Sequence, residues 1–290
     1  MSESVSFAHL IRLRPDGPST FVGPPAPERF GRTYGGQFLA QALAAAAASL
    51  DGPKDPHSLH GYFVRAGSVD APTVYRVESV REGRSFAIRS VVGEQDGAEV
   101  FRMTASFHAA EAGLDHQATL GLDVASLPAP SEKQPDYPAF AAGHPDYDPE
   151  GWDGARRPME MRYINPPSST GPEPVTEPQL MWVRITGGVA SSPAPWQGAA
   201  ALAYLSDGSL IDHALLPHGI RWFDNRLTGA SLDHAMWFHR PAALDDGAWL
   251  LYDQRVEWTG AARGLVTGRF YDREGTLLAT CSQEGLIRVS

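Results

Sequence analysis

A chain of 290 residues with 42% hydrophobic and 20% charged residues can bury sizeable cores, as one large or two medium domains. Its formal net charge of −10 and lack of any basic tract argue against nucleic acid as a partner, while leaving room for an anionic ligand on a local patch. One cysteine, Cys281, excludes an intrachain disulfide framework and suits a reducing compartment. Residues 1–5 lack the basic flank and apolar core of a signal peptide, and the run 40–50 is too short to span a bilayer, so a cytoplasmic protein without a membrane span is expected.

In chain order, Pro15 and Pro18 mark a turn, and Pro24, Pro25 and Pro27 stop any strand begun by Phe21-Val22. Gly31-Arg32-Thr33-Tyr34-Gly35-Gly36 then leads into an alanine-rich run that predicts a helix over 36–50, ended by Asp51-Gly52-Pro53. Its small side chains allow close approach on nearly every face, so burial against a sheet is expected. Strands follow over 58–64, 73–81, 86–94 and 99–109, with turns at Glu82-Gly83 and Asp96-Gly97 short enough for antiparallel hairpins.

Residues 110–158 change character: Pro128, Pro130, Pro135, Pro138, Pro145, Pro149 and Pro158 lie among many Ala, Gly and Asp residues. The expected division is a domain over 1–115, a proline-rich linker over 116–158 and a second domain over 159–290. The second domain opens with Met159 to Tyr163 and a polar loop rich in proline, then a strand over 180–185 and a small-residue helix over 196–205. Strands are expected over 231–239, 249–259, 263–271 and 277–288, with turn glycines at Asp246-Gly247, Thr259-Gly260 and Glu274-Gly275.

The second domain therefore repeats the first. His60-Gly61-Tyr62-Phe63-Val64-Arg65 matches Ala235-Met236-Trp237-Phe238-His239-Arg240, and the segment from Gly97 to Ala105 matches that from Gly275 to Gln283. Each copy has one buried helix and antiparallel strands, an α+β arrangement. Similarity between the copies reports on fold. Differences between them, such as Gln283 at the place of Ala105, report on function.

Three polar positions of the second copy are candidates for chemistry. Asp207 ends a buried-type helix, where a carboxylate gains nothing from that helix's dipole and loses hydration, so its pKa should rise toward general-base strength. The Ser231 hydroxyl, at the start of a strand, can donate and accept, and so can the Gln283 amide on the last strand. Together they can hold a water with a lone pair aimed at a carbonyl. Each also has an ordinary reading: a helix-ending turn, a strand residue, a solvent-facing amide.

Other arrangements are poorer. There is no Gly-x-Ser-x-Gly elbow, and Cys281 has no histidine partner and reads as a buried small residue. The spacing of His57, His60, His213 and His218 fits no familiar metal site. Gly35-Gly36 and Gly187-Gly188 lack phosphate-loop or dinucleotide fingerprints. Trp182, Trp237, Phe238 and Trp258 read as core and interface rather than stacking platforms.

Tyr34-Gly35-Gly36-Gln37, the segment from His60 to Gly67, and Met103-Thr104-Ala105-Ser106-Phe107 resemble the first half of the acyl-CoA thioesterase II family. Leu205-Ser206-Asp207, the segment from Leu232 to Pro241, and Gln283-Glu284-Gly285 resemble its second half. The likeness runs in order along nearly the whole chain. It implies a double hot-dog fold, two repeats each wrapping an antiparallel sheet around a central helix. It also implies hydrolysis of acyl-CoA thioesters of medium to long chain to free fatty acid and coenzyme A, with no metal or redox cofactor and in a homo-oligomer.

The family's catalytic Asp, Thr or Ser, and Gln would be Asp207, Ser231 and Gln283. Ser231 keeps the hydroxyl of the threonine common there and loses the methyl that restrains it. Ala66 stands where a proline often follows the arginine. The oxyanion would be met by backbone N–H groups or by the Gln283 amide. The acyl chain would lie between the halves against Met236, Phe238 and Leu205, and Arg65 or Arg240 would face the nucleotide phosphates. Competing readings are a hot-dog enoyl-CoA hydratase, with Asp207 and His213 as its acid–base pair, and a non-catalytic acyl-CoA-binding protein.

Overall fold

The computed structural model describes residues 5–25, 31–118, 121–148, 157–168, 173–188, 194–241, 244 and 247–290. The polar start over residues 1–4, Pro27, Pro149, residues 169–172 of the proline-rich loop and the Asp246 half of a turn lie outside them. A four-residue helix (α1, Phe7–Leu10) and strands β1 (Arg14–Pro15) and β2 (Thr20–Gly23) precede the alanine-rich helix α2 (Gly35–Ala48). Strands β3 (Asp55–Phe63), β4 (Thr73–Glu82), β5 (Phe86–Gln95) and β6 (Ala98–His108) complete the first half. Beyond a short helix α3 (Tyr137–Ala141) come β7 (Met159–Tyr163), β8 (Gln179–Ile185), helix α4 (Pro195–Ser206) and a series of 3-10 turns over Ile211–His218. Strands β9 (Leu227–Ser231), β10 (Asp233–Phe238), β11 (Leu250–Gly260), β12 (Arg263–Tyr271) and β13 (Leu277–Val289) follow.

The two halves share one antiparallel sheet, in the order β1-β2-β4-β5-β6-β3-β10-β13-β12-β11-β8-β7, with β9 paired to β13. The join is β3 on β10, in register from Tyr62 opposite Asp233 to Ser58 opposite Trp237. This is the double hot-dog arrangement, α+β, that the sequence leads one to expect. The helix expected to lie against a sheet does so, and α2 and α4 also pack against each other. Alanines at both helices, such as Ala42, Ala45, Ala200 and Ala203, are fully buried, which is how two helices fit inside one curved sheet.

Three local expectations change. The strand expected over 231–239 is two strands, because Leu232, Asp233 and His234 face only Gln283 and Glu284 between the pairs Ser231↔Gly285 and Ala235↔Ser282. That is a β-bulge, and the first copy has the same irregularity between Pro56 and Ser58. The turn expected at Thr259-Gly260 lies two residues on, at Ala261-Ala262, both in the left-handed region with φ of 48° and 58°. Of the four aromatic positions read as core and interface, Trp182 is fully buried and belongs to the core, whereas Trp237 and Trp258 are 38% and 46% exposed and do not.

The proline-rich segment lies along the second half. Val124 packs with Trp182, Leu251 and Tyr271. Trp182 donates its indole N–H to the Pro128 carbonyl at 2.8 Å, and Gln117 bonds the backbone of Gly275 and Leu277 at 2.9 and 3.0 Å. No helix among the described residues is long and apolar enough to cross a membrane.

Candidate active site

Three elements bring Asp207, Ser231 and Gln283 together: the C-terminal end of α4, the last residue of β9 and the middle of β13. Gln283 is fully buried, and its Nε2 donates to Asp207 Oδ1 at 2.7 Å and to Ser231 Oγ at 2.8 Å. Both amide protons are thereby engaged. Ser231 accepts through its oxygen and keeps its own proton for another acceptor.

The other carboxylate oxygen answers to a different helix. Helix α2 has no side-chain cap and no acid in its first turn. Asp207 supplies one from the other half: Gly36 N–H donates to Asp207 Oδ2 at 2.9 Å. The expectation that this carboxylate gains nothing from a helix dipole is therefore corrected. It ends α4 but sits at the positive end of α2.

The approach depends on glycine. A Cβ on Gly35 would lie 2.6 Å from Asp207 Oδ2 and 2.8 Å from the Phe63 ring. One on Gly36 would strike the Tyr204 carbonyl and the Tyr34 ring. Tyr34 donates its hydroxyl to that same Tyr204 carbonyl at 2.5 Å, pinning the start of α2 to α4. The Gly-Gly pair is a close-approach device, the role that its lack of any phosphate fingerprint left without an owner.

Lost hydration pushes the Asp207 carboxyl up to about 6, against the downward pull of the Gln283 amide, the Gly36 N–H and the Arg157 charge. The direction agrees with the expectation from sequence. Arg157, in the proline-rich segment, also stacks over the Tyr34 ring at 4.9 Å.

Asp207 and Ser231 open onto a cleft of about 510 Å³ between the halves, whose apolar wall includes Phe38, Phe63, Ile211, Trp222 and Leu232. The lining expected from sequence is corrected. Met236 and Leu205 are fully buried in the core, and Phe238 lines a different cavity with His57, His239 and Arg240. Arg65 lines the cleft together with Arg32, and donates to the Glu99 carbonyl at 2.6 Å. Arg240 is on the other side, bonded to Asp115 at 2.8 Å and Gln117 at 3.1 Å.

The remaining candidates fall elsewhere. His213 is buried beside Asp212 in a small cavity that shares Trp222 with the Asp207 cleft, but it is not among the residues lining that cleft, and burial pushes its imidazole down to about 4. Cys281 is buried, with its thiol pushed up to about 12 by loss of hydration. Among the described residues no three His, Cys, Asp or Glu side chains group as a metal site. Sequence reading quoted Gly36 in a motif without its contact to Asp207 and passed over Arg157, because the contacts of both cross between distant parts of the chain.

Residues 24–108 match the sequence profile of the acyl-CoA thioesterase N-terminal domain, and residues 123–287 that of the acyl-CoA thioesterase C-terminal domain. The chain is 38% identical over 268 residues to acyl-coenzyme A thioesterase 8 of Mus musculus, covering 89% of this chain and 81% of that protein. It is 33% identical over 284 residues to acyl-CoA thioesterase 2 of Haemophilus influenzae, covering 97% and 96%. A crystal structure of an acyl-CoA thioesterase II from Mycobacterium marinum superposes with a TM-score of 0.76 at 32% identity, covering 98% of this chain and 97% of that one.

Proposed function

This chain belongs to the acyl-CoA thioesterase family, whose members are thioester hydrolases, and on that premise we propose that it cleaves medium- to long-chain acyl-CoA with Asp207, Ser231 and Gln283 as its catalytic residues. The observation that carries the assignment is the pair of bonds from one buried amide to Asp207 and Ser231 at the wall of an apolar cleft. A water there donates to Asp207 and accepts the Ser231 O–H, which leaves a lone pair for the thioester carbonyl. Its oxygen forms the new C–O bond while Asp207 takes the proton. The tetrahedral intermediate then collapses with C–S cleavage, releasing the free acid and the thiolate of coenzyme A, which is reprotonated.

With both Gln283 N–H groups engaged, the oxyanion is assigned to backbone N–H groups of the cleft wall. The acyl chain takes the slot of Phe38, Phe63, Ile211 and Trp222, and Arg32 and Arg65 at the same cleft face the nucleotide phosphates. The reading includes two hot-dog units, 1–115 and 159–290, with 116–158 between them, in a cytoplasmic homo-oligomer.

Release of free thiol by Asp207→Asn, measured over a series of acyl-CoA lengths, tests the assignment. Turnover is expected to fall at least about a hundredfold with the fold intact. Activity within a few-fold of the parent would remove Asp207 from the mechanism. A maximum at short acyl chains would overturn the length assignment alone.

A further inference from the structure

The two copies part company between the central helix and the strand that follows it. In the first, residues 49–54 lead from α2 to β3; in the second, residues 207–226 lead from α4 to β9. The longer segment begins at Asp207, continues through the 3-10 turns over Ile211–His218, and packs against β11, β12 and β13. Leu210, Leu215 and Leu216 anchor it and are all buried. Two of its side chains, Ile211 and Trp222, reach the cleft that Asp207 lines. The extra length of the second copy therefore supplies part of the slot as well as the carboxylate.

Both side chains are seated on glycine. A Cβ on Gly285 would lie 2.3 Å from Ile211 Cγ1, and one on Gly229 would lie 2.5 Å from Trp222 Cη2. The indole thus rests directly on the backbone of β9, the strand that ends at Ser231. Charge divides the cleft. Its cations among the described residues, Arg32 and Arg65, both belong to the first half. Beyond Asp207 and Ser231, the second half contributes only Ile211, Trp222, Gly229, Ala230 and Leu232. A thioester held at Asp207 and Ser231, with its nucleotide toward the arginines, directs its acyl chain along that uncharged wall. Trp222 is also the one described residue that the cleft shares with the small cavity beyond it. That cavity, about 20 Å³, has room for little more than one water. Phe140, Tyr163, Leu216 and Phe223 form its apolar side. On its polar side, Arg221 is engaged with the Ser168 and Ile220 carbonyls at 2.8 and 3.1 Å.

We propose that Trp222 is a specificity-determining residue: as the partition between the two spaces it ends the acyl slot and sets the longest chain the cleft takes. The proposal rests on the hydrolytic reading above and adds to it a limit on substrate length. A chain that stops at the indole buries all its methylenes. A longer one must leave the slot or displace the ring, and each methylene left unburied costs about fourfold in kcat/KM. Cutting the ring back joins the slot to the cavity and its apolar side.

Thiol release from hexanoyl-, decanoyl-, tetradecanoyl- and stearoyl-CoA tests this. In the parent, kcat/KM is expected to fall beyond its best chain length, and in Trp222→Ala that fall should move to longer chains. The ratio of kcat/KM for stearoyl-CoA to that for decanoyl-CoA should rise about tenfold or more, with hexanoyl-CoA changed less than about threefold. Trp222→Phe keeps a smaller ring on Gly229 and should shift the ratio the same way to a lesser degree, which covers an Ala variant that fails to fold. Phe140→Ala hollows the far cavity behind an intact partition and should leave the profile as it is. A parent profile still rising at stearoyl-CoA would overturn the proposal. So would Trp222 variants with an unchanged profile, a shift to shorter chains or an equal loss at every length, or the same shift from Phe140→Ala. Asp207→Asn decides the hydrolytic reading separately: full thiol release there would remove the carboxylate from the mechanism and leave the length limit standing.

Discussion

At Asp207 one carboxylate caps a helix, and in the proposed mechanism it would also work as a base, two demands that pull apart. Its raised pKa sets the sign of two pH effects. The base must be ionised, so kcat/KM should rise with pH and level off above about 6, and a flat profile between pH 5 and 7 would contradict the role. For stability the sense is opposite. The folded state binds this proton more tightly than the unfolded chain, so the contribution is full below the model-peptide value of 3.8 and lost as pH rises through about 6. Relative to Asp207→Asn, the parent should therefore lose about 1–3 kcal/mol between pH 4 and 7, read from paired urea titrations. The first copy handles its helix end differently: the buried Arg89 bonds the Ser49 carbonyl at 3.1 Å and the Ser49 hydroxyl at 3.0 Å, and pairs with Glu82. A cation suits a helix C-terminus. Arg89→Met should cost about 3 kcal/mol in chemical denaturation while leaving KM and turnover of the folded fraction unchanged.

The elements divide into those whose signals are local and those whose signals are not. Helices α2 and α4 and the hairpins around Glu82-Gly83, Asp96-Gly97 and Glu274-Gly275 were legible because alanine content, alternation and turn residues act within a few positions. Gln283 stood out because a second copy, with Ala105 in its place, was there to compare. Asp207 stood out as a carboxylate at a helix end, and Ser231 as a hydroxyl opening a strand. The bulge at 232–234 was not legible, since it is defined by which residues of β13 face it. Nor was the cap of α2, whose acid lies in the other half of the chain. The Ala261-Ala262 turn misled for a different reason: two left-handed residues are the place for Asn-Gly, and the sequence offers alanines. That strain is removable. Changing the exposed pair to Asn-Gly should raise stability by about 1–2 kcal/mol with unaltered turnover, and a fall in melting temperature would contradict the turn. Gly35→Ala addresses the opposite case. Its Cβ would crowd Asp207 Oδ2 and the Phe63 ring, so turnover should fall about tenfold or more while the melting temperature drops only a few degrees.

Over the whole molecule, the duplication and the single sheet have different consequences. Two copies suggest two units that could each fold alone. The structure joins them through β3 and β10, packs α2 on α4, and carries one contiguous core through both halves, from Phe38, Leu59 and Met103 to Met181, Leu202 and Tyr252. The site depends on that continuity, because its carboxylate comes from one half and the N–H that holds it from the other. Separate unfolding of either half would expose the alanine faces of the helix pair and leave the inner edge of the remaining sheet unpaired, at a cost comparable to unfolding the rest. Calorimetry of the intact chain should therefore give one transition with equal calorimetric and van't Hoff enthalpies. A substitution remote from the cleft provides the sharper form. Ala45→Leu, on α2, should overpack the shared core by about 1–3 kcal/mol. If the halves are one cooperative unit, it lowers the temperature at which hydrolysis is lost by as much as it lowers the calorimetric midpoint. Two resolved transitions, with activity following only the one that Ala45→Leu leaves in place, would mean that the second half keeps its site without the first, and the role of Gly36 in holding Asp207 would go with it.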